Sequence, residues 1–346
     1  MRRSYLHLSS LTLALVIGAA RAPATSFYED ASLITDPKQR AEISAALNAL
    51  AKAPSDLPAL EVALQTLPFV VDNLGTLAFY QFADPLKTQV CDLLLAPASV
   101  DVLALAGSKG SDLAATWACR KITVHAMNAD SPLVQKAGGV IDAAAQARLK
   151  GPLLELLKRK DGTVRAAAVH ALSPMFAAPD RPAFLKPLLK DQDVQVEAGA
   201  LYQLFMMQCC DRDVEDAVAG FLEKDDPNLL VDCCWWWSAR SRTNPALAAP
   251  QEAALIKLGG DPHAIVRRQV ADAMGAYATP QHPDLANMLL RMADSDSDEI
   301  ARANAVFALR NYRTPAVHEK LVEWSRQDQP DMVRQSAQSL LSEYNW

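Results

Sequence analysis

From residue 146 to the C-terminus, apolar residues recur at spacings of three and four, the period of one helix face. The pattern comes in blocks: VRAAAVHAL from Val164, VRRQVADAM from Val266, ARANAVFAL from Ala301 and VRQSAQSLL from Val333. Two looser copies, VQVEAGALY from Val194 and LLVDCCWWW from Leu229, fit between the first pair. Successive blocks begin 30, 35, 37, 35 and 32 residues apart. Self-similarity at that period predicts stacked units, each too small to bury its own apolar face.

The blocks keep mostly apolar residues at positions 1, 5, 6, 8 and 9, with a small residue, mostly Ala, at 5 or 8 so that neighbouring helices can approach. An Asp-rich turn precedes it: KDG at 160–162, KDQD at 190–193, KDDP at 224–227, GGDP at 259–262, DSDSD at 294–298 and QDQPD at 327–331. Asp and Pro there suit the cap and first turn, where a carboxylate accepts from free amides and Pro presets φ. Before each turn lies another amphipathic stretch: RLKGPLLELLKR, AFLKPLLK, VEDAVAGFLEK, ALAAPQEAALIKL, DLANMLLRMA or VHEKLVEWSR. The predicted unit is helix, turn, second helix and link.

The grammar resembles that of the HEAT-repeat family (armadillo-type arrays), carried here by Asp161 with Val164 and Arg165, Asp261 with Val266 and Arg267, Asp298 with Arg302, and Asp331 with Val333 and Arg334. The resemblance covers residues 146–346 and implies an all-α, right-handed solenoid of about six helix pairs. The copies from Val194 and Leu229 depart from it, with Gln195 and Leu230 where Arg is expected. Tetratricopeptide and ankyrin landmarks are missing. Residues 25–145 have helical periodicity between Pro, Gly and Asp breaks and read as degenerate repeats or an N-terminal cap, since arrays need atypical ends. PATSFYEDASLI reads as extended or loosely packed.

Residues 1–24 read as a signal peptide: MRR supplies positive charge, LTLALVIGAA an apolar stretch and Ala22-Pro23-Ala24 a small-residue cleavage site. That apolar stretch falls short of the roughly 20 residues a membrane span needs. The expectation is an exported chain, periplasmic or extracellular. The formal charge is −6, and removing Arg2, Arg3 and Arg21 leaves 31 bases against 40 acids. With no Lys/Arg cluster, nucleic acid is not the expected partner.

VDCCWWWSAR at 231–240 concentrates two of the six cysteines and three of the six tryptophans. In the unit frame Cys233, Cys234, Trp236 and Trp237 fall on core positions 5, 6, 8 and 9, whereas Trp235 falls at position 7. Other copies there have His170, Ala200, Asp272, Phe307 and Ser339, so Trp235 is expected at a boundary or surface position. Assigned to second helices, Cys209-Cys210 and Cys233-Cys234 differ by about eleven positions, roughly 16 Å at the helical rise. Bridged Cα atoms lie within about 7 Å, so neither a disulfide nor a thiolate zinc site joins the pairs; Cys91 with Cys119 stays open.

DSDSDE at 294–299 opens like a calcium loop but has Glu299 and Ala305 where that loop needs Gly and Glu, and reads instead as a solvated capping turn. His125, His170, His263, His282 and His318 show no metal spacing, and no phosphate loop or nucleophile elbow stands out. No cofactor, metal or catalytic residue is expected. Arg165, Arg267, Arg302 and Arg334 share one frame position, either a stripe for an acidic partner or the Arg side of a ladder tying turns together. The function expected is a scaffold that binds proteins along a curved surface, with Trp235 as first anchor. The alternatives are an enzyme or lyase-type accessory factor, since relatives of this repeat class assist bilin attachment, and a subunit holding an envelope complex together.

Overall fold

A computed structural model describes residues 36–67, 86, 89–90, 100–127 and 141–343. The signal segment, PATSFYEDASLI and Cys91 lie outside the described residues. All regular structure within them is helical: α1 Pro37–Lys52, α2 Leu57–Thr66, α3 Val100–Lys109, α4 Asp112–Met127, α5 Ala143–Leu156, α6 Gly162–Leu172, α7 Arg181–Leu185, α8 Val194–Met206, α9 Arg212–Phe221, α10 Pro227–Thr243, α11 Ala249–Leu258, α12 Ala264–Tyr277, α13 Pro283–Ser295, α14 Glu299–Ala308, α15 Pro315–Trp324 and α16 Asp331–Glu343. The chain forms two compact units, Met1–Ala200 and Leu201–Trp346, divided within α8.

In the second unit the helices pair as the repeat predicts: α9 with α10, α11 with α12, α13 with α14 and α15 with α16. The second helices stack in series, α10 on α12, α12 on α14 and α14 on α16. The first unit repeats the arrangement: α1 pairs with α2, α3 with α4 and α5 with α6, while α4 packs on α6 and α3 on α5. Core positions 1, 5, 6, 8 and 9 are buried in α6, as are Leu229, Cys233, Cys234, Trp236 and Trp237 of α10. Close approach needs small residues. A Cβ on Gly275 would meet Cβ of Ala308 at 2.7 Å and its backbone at 2.9 Å.

Aspartate starts many of these helices. Asp161 accepts from the Val164 amide at 3.1 Å, Asp226 from Leu229 at 2.9 Å and Asp298 from Ala301 at 2.8 Å, each satisfying an amide the helix leaves free. The GGDP turn differs: the cap of α12 is His263, without a side-chain bond, and Asp261 accepts from the His263 amide at 2.8 Å instead. AFLKPLLK is not one α-helix. Residues 186–190 continue α7 as a 3-10 turn, because Pro187 lacks the amide that would extend it.

The copy read from Val194 has a different register. Asp193 occupies the cap: its carboxylate accepts from Gln195 at 2.9 Å and its carbonyl from Val196 and Glu197 at 3.0 and 3.3 Å. Asp161 receives the Arg165 amide in the same way. Val196 is therefore position 1, and Val196, Ala200, Leu201 and Leu204 are fully buried whereas Val194 is only partly so. Glu197, not Gln195, stands where Arg was expected, and position 7 is Tyr202, not Ala200. Val194 and Val196 are both apolar, so periodicity alone did not separate the registers; the cap does.

Candidate binding surface

Helix α10 holds its tryptophans on two faces. Trp236 and Trp237 are fully buried, their rings edge to face at 5.0 Å. The Trp236 indole donates to the Cys209 carbonyl at 3.1 Å, and Trp237 meets Tyr277 at 6.3 Å. Trp235 turns the other way and is half-buried. Its Nε1 donates to Oε1 of Gln269 on α12 at 2.9 Å. Its ring lies 6.1 Å from both Tyr202 and Phe205, themselves 6.2 Å apart. Tyr202 is buried beneath this cluster, Phe205 is half-exposed and the next residue, Met206, is 51% exposed.

Two carboxyls accompany the rings. Asp232, one turn before Trp235, is only 7% exposed, and its Oδ1 has no hydrogen-bond partner. Burial, helped by the nearby Asp226 charge, pushes its carboxyl well above the usual range. Asp272, one turn beyond Gln269 on α12, is exposed. Protein still surrounds it enough for desolvation to raise its carboxyl to about 6, against the opposing pull of Arg310.

The arginines at the shared frame position do not form one stripe. Arg165 gives Nε and Nη2 to Asp191 at 3.3 and 2.7 Å and Nη1 to the Arg159 and Lys160 carbonyls. Arg267 repeats this with both Asp296 oxygens at 2.8 Å and the Asp261 and Pro262 carbonyls. Both fork their guanidinium onto the aspartate two residues before the next cap, the bidentate geometry that favours Arg. Arg302 reaches the Ala293 carbonyl and Gln329, and Arg334 reaches Asp331 of its own helix. DSDSDE is the capping turn expected, with Asp294, Ser295, Ser297 and Glu299 exposed, but two of its carboxylates are engaged by arginines. The Asp296 side chain is 4% exposed, and Asp298 accepts from Arg268 at 2.7 and 2.6 Å while capping α14. That hydrogen-bonded pairing holds the Asp298 carboxyl down at about 2.

The cysteine expectation needs one correction. Cys209 and Cys210 lie beyond the end of α8, in the link before α9, not on a second helix. The chain turns there through Gln208 at φ 56°. Cys234 is fully buried within α10, and desolvation raises its thiol. Cys119 is buried, its thiol pushed up to about 12 by desolvation. No group of three or more His, Cys, Asp and Glu side chains is placed to hold a metal ion among the described residues.

Three participants escaped the sequence pattern. Phe205 and Gln269 meet Trp235 only through stacking of units, from positions 30 and 34 residues away. Arg240 is buried against Glu215 at 3.0 Å, the Ala246 carbonyl at 2.8 Å and the Trp237 ring at 5.1 Å. The signal for Tyr202 existed: in the capped register it shares position 7 with Trp235.

Residues 252–342 match the family model for HEAT repeats, and that part of the chain is built of them. No curated protein matches. Among solved structures, human deoxyhypusine hydroxylase in complex with glycerol aligns at 17% identity and a TM-score of 0.32, covering 79% of this chain and 95% of the other. Importin beta aligns at 15% identity and a TM-score of 0.44 over 99% of this chain, which spans 45% of the importin chain.

Proposed function

We propose that this protein is an exported scaffold, without chemistry of its own, that binds another protein through the side chains its second helices present around Trp235. The observation carrying this reading is the Tyr202–Phe205–Trp235 cluster, a set of rings that runs from the buried Tyr202 through the partly open Phe205 and Trp235 to the exposed Met206. Aromatic residues that keep part of their area open are favoured anchors of interfaces. The acidic balance of 40 Asp and Glu against 34 Lys and Arg supports a protein partner over nucleic acid. No helix among the described residues is long and apolar enough to cross a membrane. Export rests on the segment ending at Ala24.

A photo-crosslinking residue at position 205 in the full chain, expressed in its host, tests the surface. Adducts to one protein that disappear with Trp235→Ala support it, and labelling insensitive to Trp235 rejects it. N-terminal sequencing of the mature protein tests export: Thr25 as first residue is expected, and an intact Met1 in the cytoplasmic fraction overturns it.

A further inference from the structure

Many aromatic side chains here already have a cation at hand. Lys150 lies 3.6 Å over Phe176, Lys224 5.2 Å over Phe221, Arg240 5.1 Å over Trp237 and Arg310 4.7 Å over Phe307. Phe307 shares position 7 with Trp235 and receives its cation from the residue three later on the same face. The corresponding residue after Trp235 is Ser238, which folds its hydroxyl back onto the Cys234 carbonyl. Among the described residues no cationic side chain lies over Phe205 or Trp235.

An acid lies on the helix that meets those rings. Gln269, fixed by the Trp235 indole, is one helical turn from Asp272, and residues three apart on a helix are neighbours on its surface. Asp272 is exposed, and the Arg310 charge opposes only part of the desolvation of its carboxyl. Below the rings, Asp232 has a carboxyl oxygen with no donor. A ring face is attractive to a cation within about 6 Å of its centre, most of all for Trp. Here that face meets the helix that carries the Asp272 carboxylate, whose charge Arg310 offsets only in part, on a chain of net charge −6.

We propose that the Phe205–Trp235 surface takes an arginine or lysine side chain of a basic partner segment, the cation lying over the rings with Asp272 as its counter-ion. The inference rests on the scaffold reading and specifies the partner's chemistry. It makes Trp235 the platform, Gln269 the residue that orients its indole, and Asp272 the determinant that separates a cationic segment from an apolar one.

The test uses the full chain and two labelled dodecapeptides, one alternating arginine with serine and one with citrulline, a neutral isostere, at each arginine. The arginine peptide binds about tenfold more tightly than the citrulline peptide. Asp272→Asn weakens the arginine peptide about fivefold and leaves the citrulline peptide unchanged. Trp235→Ala weakens the arginine peptide about tenfold, and Trp235→Phe restores most of that loss. Melting curves on each variant separate folding from binding. Equal binding of both peptides, both weakened by Trp235→Ala, keeps the binding surface and overturns the cation. Arginine-peptide binding untouched by Trp235→Ala overturns both readings. No binding of the arginine peptide at millimolar concentration overturns the cation site. A peptide-free dimer abolished by Trp235→Ala assigns the surface to a second copy and overturns it likewise.

Discussion

Two stretches of the repeat handle the same frame position in opposite ways. At Arg165 and Arg267 an arginine forks onto the aspartate leading into the next cap, and its remaining nitrogen closes the preceding turn. At Glu197 and Leu230 that rung is missing. The same stretch carries Tyr202, Phe205, the unpartnered Asp232 oxygen and Trp235. Where the ladder is complete the polar side chains serve the array. Where it lapses, an orphaned carboxyl oxygen and partly open rings stand instead. Regularity marks structure in this chain, and the break in it marks the surface worth testing.

The largest expected effect on this contrast comes from inside α10. Trp236→Ala removes a fully buried ring and a bond to the link carbonyl, and loses about 3–5 kcal/mol in denaturant unfolding. Trp235→Ala, in the neighbouring residue, loses about 1–2 kcal/mol because its ring is already partly open. Equal losses would erase the two-face description of α10. Next is Arg267→Ala, which leaves the buried Asp296 carboxylate without its fork and loses about 2–3 kcal/mol. Arg302→Ala, whose contacts are a carbonyl and a long bond to Gln329, loses about 1 kcal/mol or less. If the two arginine variants unfold alike, the distinction between complete and incomplete rungs fails.

The smallest effects are those of pH, and they have opposite signs. The Asp298 carboxyl is depressed to about 2 by Arg268, so its contribution is full above the ordinary aspartate value and is lost as pH falls towards 2. Asp298→Asn therefore approaches the wild type in stability at the acid end. The Asp272 carboxyl is raised to about 6, so its contribution is full below the ordinary aspartate value and is lost as pH rises through 6. Asp272→Asn should flatten that slope and leave the acid limb intact. Urea midpoints measured from pH 2 to 8 check both signs at once.

Helix identity and pairing were legible because a spacing of three and four and an Asp-rich turn reinforce one another. The register of α8 was not, since Val194 and Val196 offer two apolar starting points and only the position of Asp193 chooses between them. Placing Cys209 and Cys210 on a helix failed for a related reason: the helix ends at Met206, and Gln208 takes the left-handed conformation that periodicity does not report. Trp235 stood out in the sequence as the one tryptophan off the core positions. Its neighbours did not, because Gln269 and Phe205 reach it only after separate units stack.

Asp298 does two jobs with one carboxylate, starting α14 and receiving Arg268 from α12. A helix whose first turn is anchored by a residue of the previous repeat has no independent beginning. Fraying at that point must spread backwards as well as forwards, so hydrogen exchange at Ala301 should slow and quicken in step with the amides of α12. The turn at Asp298 is therefore expected to act as a joint that transmits local opening from one module to the next.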